Sequence, residues 1–161
     1  MMNTLYVMVG IPGSGKSTYA QTIIANDPDN IVYISRDIVR LSVIKPNEDL
    51  FSHEDEVYDK FCDEIAATLL GKNVIADATH MSRGARAKLI NALKKRGMTT
   101  DKYEIVFVYM NTPIEECIRR DDVREGRAHV TAPVIRRMAR SLSCPAADEF
   151  PNIKEVIQVR E

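Results

Sequence analysis

The sequence predicts an α/β domain in which a parallel sheet carries helices on both of its faces. Short apolar runs alternate with amphipathic stretches about four times along the chain, the pattern that βαβ units produce. The first apolar run also closes on a glycine-rich turn that leads straight into a helical pattern. Leu5 to Val9 reads as a buried strand, and Lys16 to Ala25 as the helix after it, stopped by Asp27-Pro28-Asp29. Ile31 to Ile34 is a second strand. Residues 54 to 70 place Val57, Phe61, Ile65 and Leu69 on one helical face. Val74 to Ala76 is a third strand. Ser82 is placed to N-cap the next helix, whose core face is Leu89, Ile90 and Leu93 and whose end is Gly97. Tyr103 to Met110 is a fourth strand. Thr112-Pro113-Ile114-Glu115 reads as a capping box with proline in the first helical position. Thr131 is placed to cap a last helix with Val134, Ile135, Met138 and Leu142 inward, and Ile153 to Val159 reads as a final strand.

The 161 residues suit one domain over 1–161, and 45% hydrophobic with 28% charged residues excludes disorder as the default. Lys plus Arg number 22 against 23 Asp plus Glu, a net charge of −1, which excludes a polycation that coats nucleic acid. No apolar stretch reaches the about 18 residues of a membrane span. Met1-Met2-Asn3-Thr4 lacks the basic start and apolar run of a signal peptide. Cys62, Cys117 and Cys144 are far apart and odd in number, so they read as free thiols of a reducing, cytoplasmic setting.

In a parallel sheet, ligands bind beyond the carboxyl ends of the strands, so the chemistry is expected after Val9, Ile34, Ala76 and Met110. After Val9 stands Gly10-Ile11-Pro12-Gly13-Ser14-Gly15-Lys16-Ser17, which matches G-x-x-x-x-G-K-[ST]. Glycines let the backbone wrap phosphate oxygens with its N–H groups inward, and the helix start adds its positive dipole end. Lys16 is placed to reach the β- and γ-phosphates of ATP, and the Ser17 hydroxyl to ligate Mg²⁺.

No guanine-reading Asn-Lys-x-Asp occurs, and the third strand ends Ala76-Asp77-Ala78 without the Glu that activates water in hydrolytic ATPases. Phosphoryl transfer to a bound acceptor remains, and it needs a group to take the acceptor's proton. The second strand ends Ser35-Arg36-Asp37-Ile38-Val39-Arg40. Asp37 emerges at the ligand edge either as that base or as a helix cap. Arg40, one turn on, either pairs with an acceptor phosphate or is a surface charge. Asp77 is placed to hold Arg40, to order water around Mg²⁺, or simply to form a turn.

Arg119, Arg120, Arg124, Arg127, Arg136, Arg137 and Arg140 crowd residues 119 to 140. Arg120 and Arg124 are four apart, on one helical face, and the stretch over about 120–133 reads as an arginine-rich lid over the triphosphate. Which of Arg120, Arg124 and Arg127 engages is left open. Residues 82 to 97 hold six basic residues and no acid, able to guide a polyanion, while residues 45 to 64 carry a net −6, read as a solvent-facing helix. His53, His80 and His129 show no metal spacing, and His80, near Asp77, is either structural or an acceptor contact.

Gly10–Thr18, Ser35-Arg36-Asp37-x-x-Arg40, Asp77-Ala78-Thr79-His80-Met81-Ser82-Arg83 and Arg120-x-x-x-Arg124 together resemble the phage-type polynucleotide 5′-hydroxyl kinases, in the same order and from the first strand to Met138. The resemblance implies a P-loop kinase fold with a five-stranded parallel sheet, with ATP as phosphate donor, Mg²⁺ as cofactor and the 5′-hydroxyl end of DNA or RNA as acceptor. It implies Asp37 as general base, Arg40 on the phosphate flanking the acceptor nucleoside, and Asp77 orienting Arg40. Thr79 and Arg83 fall with Asp77 on the acceptor side. Gly10, Pro12, Gly13, Ser14, Gly15, Lys16, Ser17 and Thr18 serve the nucleotide, and Arg120 and Arg124 close over the donor phosphates. His80 stands where family members often carry Asn. Many relatives carry a separate phosphatase domain, and no 3′-phosphatase activity is expected of these residues. The near-neutral charge suits a grip on the terminal few nucleotides only. A small-metabolite or nucleotide kinase on the same scaffold, or a nucleotide-binding module without transfer, are the alternative readings.

Overall fold

The computed structural model describes residues 2–126 and 129–160. Its strands are β1 (Asn3–Val9), β2 (Ile31–Ser35), β3 (Asn73–Asp77), β4 (Tyr103–Asn111) and β5 (Ile153–Arg160). They form one sheet in the order β2-β3-β1-β4-β5 with every pairing parallel. The helices described are α1 (Lys16–Asn26), α2 (Arg36–Val43), α3 (Glu54–Leu69), α4 (Arg83–Lys95), α5 (Ile114–Asp122) and α6 (Ala132–Ser141). This is the expected α/β architecture, a P-loop kinase-like fold. No helix among the described residues is long and apolar enough to cross a membrane.

Two apolar layers explain why β1 is apolar on both sides. Leu5, Val7 and Val9 join Phe61, Ile65 and Leu69 of α3 and Leu89 and Leu93 of α4. Met8 points the other way, onto Ala20, Ile23 and Ile24 of α1. Alternate residues of a strand face opposite sides, so a strand covered on both must be apolar throughout. A third, small cluster of Ile11, Cys117, Ile118 and Ile135 seats α5 and α6 against the glycine turn.

Helix ends follow local chemistry in part. Ser82 Oγ accepts the Ala85 N–H at 3.0 Å, as expected of an N-cap. Gly97, at φ 87°, ends α4: its N–H reaches the Lys94 carbonyl and that of Met98 reaches Leu93, each at 3.0 Å. Ser35 caps α2, its Oγ accepting from Ile38 N at 3.4 Å, so Asp37 sits inside the first turn and is not the cap.

The capping box at residue 112 does not form. Pro113 takes the cap position, and the Thr112 hydroxyl donates to the Ser14 carbonyl at 2.7 Å. Thr131 occupies the cap position of α6 with φ 89° and no side-chain bond. Asp121 instead fixes the approach to α6: its buried carboxylate accepts the Val130 N–H at 2.7 Å and the Thr131 N–H at 2.8 Å. α5 ends at Asp122, so Arg124 lies beyond the helix and does not share a helical face with Arg120.

Candidate active site

The β1–α1 turn is a loop whose shape depends on two glycines. Gly13 and Gly15 have φ of 82° and 95°, which L side chains rarely adopt. A Cβ on Gly13 would also fall 2.5 Å from the Cys117 carbonyl oxygen, so α5 requires glycine there. The loop's carbonyls are tied outward. Arg120 Nη1 donates to Gly13 O at 3.1 Å and Thr112 to Ser14 O, while Gly10 N–H reaches Thr79 O at 3.0 Å. The N–H groups of Gly13, Gly15, Lys16 and Ser17 have no acceptor among the described residues. Ser14 Oγ is buried beside Gly10 with no partner. Orphaned donors around a helix N-terminus fit a phosphate chain. Lys16 is half-buried, with no carboxylate in ion-pair range among the described residues.

At the head of α1, Ser17 Oγ donates to Asp77 Oδ2 at 2.9 Å, and the Tyr33 hydroxyl donates to the same oxygen. Burial, reinforced by the Asp77 hydrogen bond, pushes the Tyr33 phenol up to about 12, so it stays a donor at neutral pH. A hydroxyl and a buried carboxylate, both oxygen donors beside the phosphate loop, fit Mg²⁺. Asp77 therefore serves the Ser17 side of the site; the resemblance implied that it orients Arg40, and the described residues show no contact between the two.

Arg40 takes another partner. Its Nε and Nη2 donate to Glu54, the first residue of α3, at 2.9 and 2.7 Å, a bidentate pair. Its Nη1 donates to Asp37, and the Phe51 ring covers its guanidinium at 4.9 Å. Arg40 holds the Glu54 carboxyl below the usual carboxylate range. The Asp37 side chain is 87% exposed at the ligand edge, while Arg40 is buried. Exposed Ile38 and Leu41 of α2 add apolar surface next to them. Glu54→Gln should raise the Michaelis constant for an acceptor about tenfold with little change in that for the nucleotide, because it frees Arg40 to swing. Steady-state kinetics in both substrates checks this, and an equal rise in both constants contradicts it.

Other expected residues are placed less directly. Thr79 contributes its backbone carbonyl to the loop, and Arg83 is exposed at the head of α4. Pro12 is half-buried in the loop, and Thr18 is exposed in the first turn of α1. Arg120 lies on the phosphate loop as described, bonded also to Glu116 at 3.1 Å. Arg124 is exposed past α5, and Arg127 lies outside the described residues.

His80 is structural. At φ 44° it is buried, with Nδ1 2.8 Å from the Met8 carbonyl. Burial pushes its pKa down to about 4, so the ring is neutral and donates from Nδ1. Between about pH 6.5 and 4 the unfolded chain binds a proton that the folded one refuses, so stability falls as pH falls, by about 3 kcal/mol at most. His80→Asn keeps a donor and tolerates this φ. Its urea midpoint should decline less over that pH range than the wild-type midpoint. Parallel curves would contradict the assignment.

A protein-family model described as an AAA domain matches residues 5–145. The chain belongs to that family. No curated protein matches it. Among solved structures, a chain of the Pnkp1/Rnl/Hen1 RNA repair complex is 28% identical, with a TM-score of 0.73 over 88% of this chain and 44% of that one. This family member thus spans less than half of that relative's length. A sugar kinase from Janibacter sp. HTCC2649 is 17% identical, with a TM-score of 0.64 over 99% of this chain and 86% of that one. A gluconokinase from Sinorhizobium meliloti 1021 is 16% identical, with a TM-score of 0.61 over 99% and 83% respectively. At those two identities the likeness is one of fold. The fold and the phosphate loop together imply nucleotide binding.

Four contributors escaped the sequence reading: Tyr33, Glu54, Thr112 as a loop clamp, and Asp121. Tyr33 alone left a trace, as a polar-tipped residue two positions before the end of β2.

Proposed function

We propose that this domain is an ATP-dependent kinase that phosphorylates the 5′-hydroxyl end of DNA or RNA, in nucleic-acid repair. The observation that carries this reading is Asp37, exposed at the carboxyl end of the sheet and paired with an arginine that Glu54 anchors. The likeness to a chain of an RNA repair complex supports it, as does the set of motifs shared with the phage-type 5′-hydroxyl kinases.

The orphaned N–H groups of the Gly10–Ser17 loop and Lys16 hold the β- and γ-phosphates. Bound Mg²⁺, at Ser17 and the Asp77 carboxylate, supplies charge neutralisation. The acceptor hydroxyl oxygen forms a bond to the γ-phosphorus as the bond to the bridging oxygen breaks, and ADP leaves. The hydroxyl proton passes to the Asp37 carboxylate. Arg40 binds the phosphate flanking the acceptor nucleoside once Phe51 yields its face. Arg120 braces the loop from outside, and Arg124 or Arg127 supplies countercharge over the donor phosphates. Thr79 and Arg83 line the acceptor side.

A second reading is a sugar or other small-metabolite kinase. What favours it is the acidic flank of Glu48, Asp49, Glu54, Asp55 and Glu56, which repels a polyanion laid on that side. Labelled ATP offered with a 5′-hydroxyl oligonucleotide, nucleosides and sugars decides between them. Label on the oligonucleotide is the expected result, and label confined to the small molecules rejects the polynucleotide reading.

A further inference from the structure

We propose that Arg36, Tyr58 and Lys88 form an anion subsite for a downstream phosphodiester of the acceptor strand; it rests on the polynucleotide reading above. Arg36 lies at the head of α2, next to Asp37, with its guanidinium carbon 5.0 Å from the Tyr58 ring centroid. Lys88 reaches the same ring from α4, its Nζ 4.3 Å from the centroid. Three helices thus bring two cations onto one aromatic ring.

The countercharge there is too small. Arg36 touches one carboxylate, Glu54, at 3.4 Å, and Glu54 is already bidentate to Arg40. Its Nε is buried with no partner. Lys88 is exposed and has no carboxylate partner among the described residues. Asp59, beside Tyr58, is engaged by Arg96 at 3.4 Å. Among the described residues the ion pairs of Arg36 and Arg40 draw on two carboxylates, Asp37 and Glu54, and Lys88 adds none, so three cations share two anions. A ring face attracts each cation by about 0.5–1 kcal/mol, but it cannot neutralise either. A phosphodiester does, and charge-assisted bonds from a guanidinium and an ammonium suit it. Lys88 belongs to α4, which carries basic residues and no acid from Arg83 to Lys95.

The test compares a 5′-hydroxyl thymidine hexamer with thymidine 3′-monophosphate as acceptors, at several salt concentrations. Wild-type protein should use the hexamer with a Michaelis constant about tenfold lower. Lys88→Glu should bring that ratio to within about twofold of unity and flatten the salt dependence for the hexamer by about 0.7 in log–log slope. Lys88→Ala should fall between, and Lys88→Arg should retain the preference. If both charge-removing variants keep the wild-type ratio and slope, the subsite is wrong and the acceptor reading stands. If wild-type protein phosphorylates neither acceptor, both fall together.

Discussion

Replacing Asp37 by Asn should lower turnover with an oligonucleotide acceptor by about three orders of magnitude and leave the dissociation constant of ATP within about twofold. The asparagine keeps an oxygen for Arg40 to bond and removes only the capacity to take a proton. Arg40 stays anchored through the bidentate Glu54 contact, so the arginine proposed to hold the acceptor's phosphate is not lost with the charge. The Gly10–Ser17 loop draws its own contacts from Thr79, Thr112 and Arg120, none of which involves Asp37. Single-turnover phosphorylation together with equilibrium nucleotide binding separates the two effects. Turnover that persists within about threefold removes Asp37 from the chemistry and leaves the acceptor's proton to another group.

Replacing Arg86 by Met should cost about 3–5 kcal/mol and lower the melting temperature by about 10 °C. Arg86 and Glu149 are 1% and 2% exposed. The guanidinium donates to both Glu149 oxygens at 3.0 and 3.1 Å, to the His80 and Ser143 carbonyls at 3.0 and 3.1 Å, and to Ser143 Oγ at 3.1 Å. It thereby joins the turn after β3 to the segment that leads back to β5. Burial alone would raise the Glu149 carboxyl, yet the Arg86 bonds hold it below its ordinary value. Removing the arginine strands a buried carboxylate, so that carboxyl should protonate more readily in the variant. In the wild type, stability from this group is present above the unfolded pKa and is lost as pH falls through the depressed folded one. The variant's deficit should therefore shrink in acid. Denaturation midpoints at neutral pH and near pH 4 check both statements, and a second substitution, Glu149→Leu, should recover part of the loss. A deficit that grows in acid contradicts the pairing.

The sequence-legible features are those that short-range chemistry writes. The phosphate loop, the Ser82 cap, the Gly97 stop and the two-sided apolar strand each depend on residues within a few positions of one another. Partners that meet across the fold leave no such local mark. Arg40 and Glu54 are fourteen positions apart, and nothing in either neighbourhood marks the pair. For Asp77 two acceptable partners, Arg40 and Ser17, compete for a strand-end carboxylate; β3 lies between the strands that lead to each, and Glu54 already occupies Arg40. Arg86 looked like one more member of a basic helix, yet it is buried, while its neighbour Lys88 is exposed. Thr112 has the sequence of a cap, but the phosphate loop offers its hydroxyl a carbonyl that the helix start cannot match.

The Asp121 carboxylate bonds the amides of residues 130 and 131 and so cinches the two ends of the arginine-bearing segment. The return of the chain into α6 is thereby fixed from α5 itself, through one buried aspartate.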